Sequence, residues 1–308
     1  MEPIIFSPIY MTRVWGGRSL ESTYQRDLPD EQPYGESWEI SDREHEQSVV
    51  TRGSFAGKTL HELWSSHREE IFGTGLTGER FPLLIKILDA RDDLSIQVHP
   101  PQEVASELGG DPKTEMWYIA DCDPGAKLYV GLKEGTTRES FENSLGDGTV
   151  EEQVHAIEPR PGDSIFIASG RLHAIGAGFL IYEIQQNSDT TYRVFDWNRM
   201  GLDGKPRDLH IAESMTSIDF DDFEPGMDKS DGRNLASCEY FTVDQLDLKA
   251  GDPIANQNDR FSIITVVSGE ITYQGTMTFR EGDFFILPRG AGQLSAIGTA
   301  KILQTMIP

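Results

Sequence analysis

Two imidazoles, a carboxylate and an amide oxygen fall in three separated segments of the chain: Gln97 and His99 in SIQVHP, Glu115 in KTEMWY, and His173 in SGRLHAIG. Together they make a shell for a hard-to-borderline divalent ion. Gln97 and His99 are two apart, so a strand through them presents both side chains to one face. Zinc held by such N/O donors, with a position left for water or substrate, is the usual form of a catalytic site. Glu115 heads an apolar, aromatic run (Met116, Trp117, Tyr118, Ile119). A carboxylate there is costly to bury without a cation or a donor. A metal answers that cost, and so would a salt bridge to Lys113. Gln97 is the weakest donor of the four, and a hydrogen bond beside the site is its competing role.

The elements that must position these groups are mostly short β-runs bounded by Gly, Pro and Asp: 83–88, 95–98, 116–120, 128–130, 164–168 and 179–185. Their spacing predicts a sandwich or barrel. Helices are expected over 59–72, 101–108, 137–145 and 208–217. The first opens on the capping box Thr59 and Glu62 and places Leu60, Leu63, Trp64, His67 and Ile71 on one face. Gly146 is expected to end the third. Residues 221–235 are polar and unpatterned and read as a linker. Strands alone follow, at 240–248, 261–267, 270–273, 283–287 and 300–305.

An internal repeat ties the halves together. PGDSIFIASG (161–170) resembles EGDFFILPRG (281–290). Each is a glycine turn into a strand and a glycine turn out of it. The pattern resembles the second sequence motif of cupins, small double-stranded β-helix barrels. Three residues past the second glycine, where cupins place a metal ligand, the first copy has His173 and the second has Gln293. The chain is therefore expected to be mainly β, with two cupin-like barrels and a few short helices in the N-terminal half. Residues 1–220 would form a metal-binding catalytic domain, 221–235 a linker, and 236–308 a degenerate cupin-like domain without metal.

Composition narrows the class. The 308 residues carry a formal net charge of −24, which argues against nucleic-acid or anionic-membrane partners. Cys122 and Cys238 form no CxxC motif, and a disulfide framework is not expected. No apolar run approaches membrane-spanning length, and the N-terminal segment does not read as a signal peptide. A soluble, cytoplasmic protein is expected, either a monomer or a weak homodimer.

These segments resemble the short bacterial form of the type I mannose-6-phosphate isomerases (phosphomannose isomerases). The resemblance covers nearly the whole chain. It is carried by VWGG (14–17), GESWEI (35–40), FPLLIKILDA (81–90), DDLSIQVHP (92–100), KTEMWY (113–118), GRLHAIGAG (170–178) and EIQQNSDTTYRVFDWNR (183–199). It implies one Zn2+ per chain on Gln97, His99, Glu115 and His173, a catalytic Arg193, and a sugar-phosphate substrate. Lys113, Glu183, Ser95, Glu36 and Arg199 match further active-site positions.

The implied reaction interconverts mannose 6-phosphate and fructose 6-phosphate by moving a proton between C2 and C1 through a cis-enediol. Zinc and Arg193 would stabilise the developing negative charge. Three groups could take the proton: Glu183, if burial raises its pKa; Lys113, if neighbouring cations depress its own; or a zinc-bound water. Arg199, with its planar fork, and Lys86 are the phosphate candidates. Trp15 and Trp38 could wall the sugar site with Glu36. Arg193 has a competing structural role as an ion-pair partner of Asp189 or Asp196. The rival functions are a non-haem iron oxygenase built on His99, Glu115 and His173, and a sugar-binding cupin without turnover.

Overall fold

The computed structural model describes residues 1–229, 232–256 and 259–308. The chain is mainly β and gathers into two compact units that are discontinuous in sequence. One comprises Tyr10–Ser37 and Lys86–Asp228; the other comprises Met1–Ile9, Trp38–Ile85 and Lys229–Pro308. The linear division expected near 220–236 is thus drawn elsewhere, and the reason is packing. The segment after Thr59 buries Trp64 and Phe72 in an aromatic cluster with Phe81 and Phe261, and the Phe72 and Phe261 rings lie 5.0 Å apart. That apolar contact ties the helical segment to the C-terminal strands.

Among the described residues, the site-bearing unit is built on β1 (Ile9–Gly17), β2 (Tyr34–Ile40), β3 (Leu83–Ala90), β4 (Ile96–Val98), β5 (Glu115–Cys122), β6 (Leu128–Leu132), β7 (Val154–Ile157), β8 (Ser164–Ile167), β9 (His173–Ile175), β10 (Phe179–Gln186) and β11 (Tyr192–Phe195). They form a six-stranded sheet in the order β1-β2-β3-β10-β5-β8 and a five-stranded sheet in the order β11-β4-β9-β6-β7. Alternate residues of both sheets share one core. Trp15, Leu88, Trp117, Ile119, Ile165 and Ile181 come from the first sheet, and Leu128, Val130 and Ile175 from the second. The opposite face of the five-stranded sheet buries Ile96, Val98, Tyr192 and Val194 under Phe141 and Met215, which two helices supply.

The second unit repeats the architecture. β12 (Asn234–Ser237), β13 (Thr242–Leu248), β15 (Ser262–Ser268), β18 (Phe284–Leu287) and β20 (Ala300–Met306) make one sheet. β14 (Pro253–Ile254), β16 (Glu270–Tyr273), β17 (Met277–Arg280) and β19 (Leu294–Ala296) make the other. Ile264, Val266, Ile271, Phe285 and Ile302 fill the space they enclose.

Several local expectations shift. The helix expected over 59–72 keeps its capping box but is two pieces, Leu60–Ser66 and Arg68–Ile71, parted at His67. The third helix, Arg138–Asp147, runs through Gly146 and ends on Gly148, which takes the left-handed conformation at φ 72°. The second and fourth helices contract to Gln102–Ala105 and Ile211–Ser217. Much of 221–235 is not a loose tether. Asp222 accepts from Arg171 at 2.8 and 2.9 Å, Phe223 bridges Leu132, and β12 begins at Asn234. Ser230 and Asp231, within that segment, lie outside the described residues.

Candidate active site

The strands that fill the barrel with apolar side chains carry polar ones on the same faces at the mouth. On β10, Glu183 follows Ile181 by two; on β5, Glu115 precedes Trp117 and Ile119 by even steps. On β9, His173 precedes Ile175 by two. On β4, Ile96 and Val98 point into the outer core, so Gln97 and its even-spaced neighbours Ser95 and His99 point inward. Register aligns these rows across the strands. Gln97 pairs with both His173 and Arg193, and Trp117 pairs with Glu183. A shift of register between Leu180 and Ile181 sets the phase of β10 that turns Glu183 inward. Gly35 explains a motif residue: a Cβ there would lie 2.5 Å from the Trp15 ring, so glycine is what lets that indole seat in the barrel.

His99, Glu115 and His173 are buried, and their donor atoms lie within 4.8 Å of one another. His99 Nε2 is 3.5 Å from Glu115 Oε2, and His173 Nε2 is 3.7 Å from Glu115 Oε1. Each ring donates its Nδ1–H to a backbone carbonyl at 2.8 Å, His99 to Thr190 and His173 to Arg171. Those bonds fix the tautomer and leave both Nε2 lone pairs facing the carboxylate. His99 Nε2 and Glu115 Oε1 have no hydrogen-bond partner among the described residues. Two buried imidazole lone pairs converging on a carboxylate suit a divalent cation, and the donor set fits zinc or another borderline metal. Gln97 lies at the same place with its amide nitrogen 3.3 Å from His173 Nε2 and its oxygen accepting from Ser95 at 3.1 Å. A half-turn of the amide exchanges the two atoms.

Around these donors lies a cleft of about 360 Å³, lined by Arg13, Lys86, Lys113, Glu183, Arg193 and Arg207, with Glu36, Ser95 and Trp15. Lys113 Nζ is 2.8 Å from Glu115 Oε2, the ion pair foreseen as an alternative to metal. Burial disfavours its charge, but the Glu115 and Glu183 carboxylates outweigh burial and hold the ammonium above its ordinary value. Lys113 is therefore poorly placed to act as a neutral base. Burial also works against the Glu115 anion, and here Lys113 and the two histidines prevail and keep it well below the usual carboxylate range. Glu183 goes the other way: burial raises its pKa, against the pull of Lys113 and Lys86. Its Oε2 accepts from Trp117 Nε1 at 3.1 Å. Its Oε1 accepts no hydrogen bond among the described residues and has Lys86 at 3.4 Å and Lys113 at 3.9 Å.

The phosphate candidates divide. Lys86 lines the cleft, bridging Glu36 at 3.7 Å and Glu183 at 3.4 Å. Arg199 does not line it. Its guanidinium is taken up by Asp196 at 2.9 Å and Asp92 at 3.4 Å. The ion pair weighed for Arg193 is not formed, because Asp196 is occupied by Arg199 and Arg207. Trp38 is buried and is not among the lining residues. Arg13 and Arg207 are the charged lining residues that sequence reasoning missed. The alternation of Arg13 with Trp15 on one strand was the available signal for the first. Nothing in sequence marks the second, which arrives through a loop.

Burial, and next the charge of Lys113, push His99 down to about 3, and burial lowers His173 as well. Both imidazoles are thus neutral near pH 7. An unfolded histidine titrates near ~6.5, so below that pH the unfolded chain binds more protons than the folded one. The metal-free protein is expected to lose stability as pH falls from about 6.5 toward 3, and to gain nothing from these groups above that window. Thermal melts of chelated protein from pH 8 to pH 5 check this, and a midpoint indifferent to pH across that range would contradict neutral burial of the pair.

Residues 5–128 match the family model described as phosphomannose isomerase type I, catalytic domain, and residues 232–307 that of the mannose-6-phosphate isomerase cupin domain. Mannose-6-phosphate isomerase ManA of Bacillus subtilis (strain 168) is 38% identical, over 98% of this chain and 98% of its own. The mannose-6-phosphate isomerase of Streptococcus mutans serotype c is 36% identical, over 99% of this chain and 98% of its own. The crystal structure of the mannose 6-phosphate isomerase from Bacillus subtilis superposes with a TM-score of 0.89 at 34% identity, covering all of both chains.

Proposed function

The chain belongs to the type I phosphomannose isomerase family and is an enzyme of that kind, and from that premise we propose that it interconverts mannose 6-phosphate and fructose 6-phosphate through a cis-enediol, using one zinc ion. The observation that carries the reading is the convergence of the buried His99, Glu115 and His173 donor atoms, two of them without a hydrogen-bond partner among the described residues, beside a cleft ringed by cationic side chains. His99, Glu115 and His173 would hold the metal, with Gln97 as the fourth ligand once its amide turns. When bound, zinc supplies a Lewis acid that polarises the sugar's carbonyl and hydroxyl oxygens.

The chain's own residues do the rest. Glu183 Oε1 takes the proton from the carbon beside the carbonyl and returns it to the neighbouring carbon. Trp117 holds Oε2, so the free oxygen faces the cleft. Burial raises the pKa of Glu183 toward that of a useful base, and Lys86 and Lys113 stop it from being neutralised altogether. Arg193 supplies fixed positive charge for the enediolate. The Ser95 hydroxyl would donate to or accept from sugar hydroxyls, the Glu36 carboxylate would accept from them, and the Trp15 indole walls the cleft beside them. His99, Glu115 and His173 alone would also suit an oxygenase, but such an enzyme has no use for Lys113, Glu183 and Arg193 at the same place. The partner in this reading is a small sugar phosphate in the cytoplasm; among the described residues no helix is long and apolar enough to cross a membrane.

The decisive experiment follows fructose 6-phosphate formed from mannose 6-phosphate by purified protein, before and after chelation and after zinc is restored. Turnover is expected to vanish with the metal and return with it. Absence of turnover in fully loaded protein would sink the proposal.

A further inference from the structure

Among the described residues, three guanidinium groups line the cleft; Arg13 is paired with Glu36, and Arg193 has no anion to balance it. Arg193 has a buried Nε with no partner and forms no ion pair among the described residues. Arg207 lines the same cleft. Asp196 accepts from its Nε at 2.7 Å and from its Nη2 at 2.6 Å, which leaves Nη1 with no hydrogen bond among the described residues. Asp196 also takes Arg199, whose remaining contact is Asp92 at 3.4 Å, so that arginine is held away from the cleft. The loop between them is anchored back on β11, where His210 N donates to Arg193 O at 2.8 Å and Arg193 N donates to His210 Nδ1 at 3.2 Å. Arg207 is thereby fixed relative to Arg193. Burial, then the nearby charge of Arg207, hold Arg193 below its ordinary pKa, as expected for like charges kept close together.

We infer that Arg207, oriented by Asp196, recognises the phosphate monoester of the substrate and leaves Arg193 to the enediolate, and that Asp196 is the positioning residue of Arg207. This rests on the sugar-phosphate reading above. A guanidinium gripped along one edge by a carboxylate keeps its other edge for a phosphate oxygen, and a dianion held there offsets the repulsion between Arg207 and Arg193. A chain of net charge −24 also needs a local concentration of positive charge to hold a phosphate at all.

Arg207→Gln and Arg207→Lys in the zinc-loaded enzyme test this with two readouts: kcat and KM for mannose 6-phosphate, and the rise in melting temperature on titration with inorganic phosphate. The glutamine variant is expected to raise KM about 10- to 100-fold with kcat within a few-fold, and to lose the phosphate-induced rise in parallel. The lysine variant keeps the charge without the fork and should fall between. Asp196→Asn, which leaves Arg207 intact but ungripped, should also raise KM more than it lowers kcat. Unchanged KM and unchanged phosphate protection in Arg207→Gln, or the whole effect reproduced by Arg199→Gln alone, would overturn the inference. The phosphate readout needs no turnover. Protection lost with Arg207 in a protein that does not isomerise the sugar would refute the reaction and support the cradle; isomerisation with protection indifferent to Arg207 would refute the cradle alone.

Discussion

His173→Ala is expected to bind zinc weakly or not at all and to lose essentially all turnover. Loss of a residue that merely orients a ligand typically lowers metal affinity or activity about 10- to 100-fold, and deletion of a ligand exceeds that. His173 is also the hinge of the donor set. Its Nε2 faces Glu115 at 3.7 Å, and its ring packs against those of His99 and Trp117 at 4.7 and 5.4 Å. Without it, Glu115 and His99 keep their positions but cannot close a coordination shell. The fold should survive, because β9 stays anchored by Ala174 and Ile175 in the two cores. Metal content by elemental analysis, set beside a thermal melt, separates the outcomes. Stoichiometric zinc in a folded His173→Ala variant would place the metal elsewhere.

Glu183→Gln should keep zinc and fold while kcat falls about 10²- to 10⁴-fold, the usual contribution of a positioned proton-transfer group. The substitution preserves shape and removes the basicity together with the negative charge that faces Lys86 and Lys113. Because KM reflects contacts made by other groups, it should move little. Lys113 sets the contrast. Its charge is stabilised by Glu115 and Glu183, so it serves as a cation, and loss of Lys113 is better read as disturbance of Glu115. If Glu183→Gln retained more than about a tenth of kcat, far above the loss expected of a base, the proton would have to move through another group.

The donor set was legible in the sequence because its geometry is local. The two-residue step from Gln97 to His99, the glycine turn before His173 and the apolar run after Glu115 each dictate which way a side chain points. The barrel strands with strong alternation or apolar runs were legible for the same reason. What escaped depends on non-local packing. β1 and β2 carry polar residues at the cleft, which dilute a strand signal. His67 breaks the helix expected through it, although the periodic pattern continues across it. A linear chain does not show which segments pack together, and the aromatic cluster of Trp64, Phe72, Phe81 and Phe261 joins segments far apart in sequence. Arg199 matched a motif position, yet Asp196 and Asp92 decide where its guanidinium lies, and no spacing rule reports a third residue's competition. Arg207 was invisible because a loop has no period.

The sharing of strands between core and mouth has a consequence for how the gene can change. Ser95, Gln97 and His99, then Glu115 and Trp117, then Ile181 and Glu183, are each counted off in steps of two along one strand. A substitution at the rim alters one contact. An insertion or deletion of a single codon inside β10 would instead exchange its entire inward and outward sets, turning Glu183 out of the cleft and Ile181 out of the core together. Length variation among descendants of this chain is thus confined to the loops, and within the strands the lineage is free to change letters but not to change count.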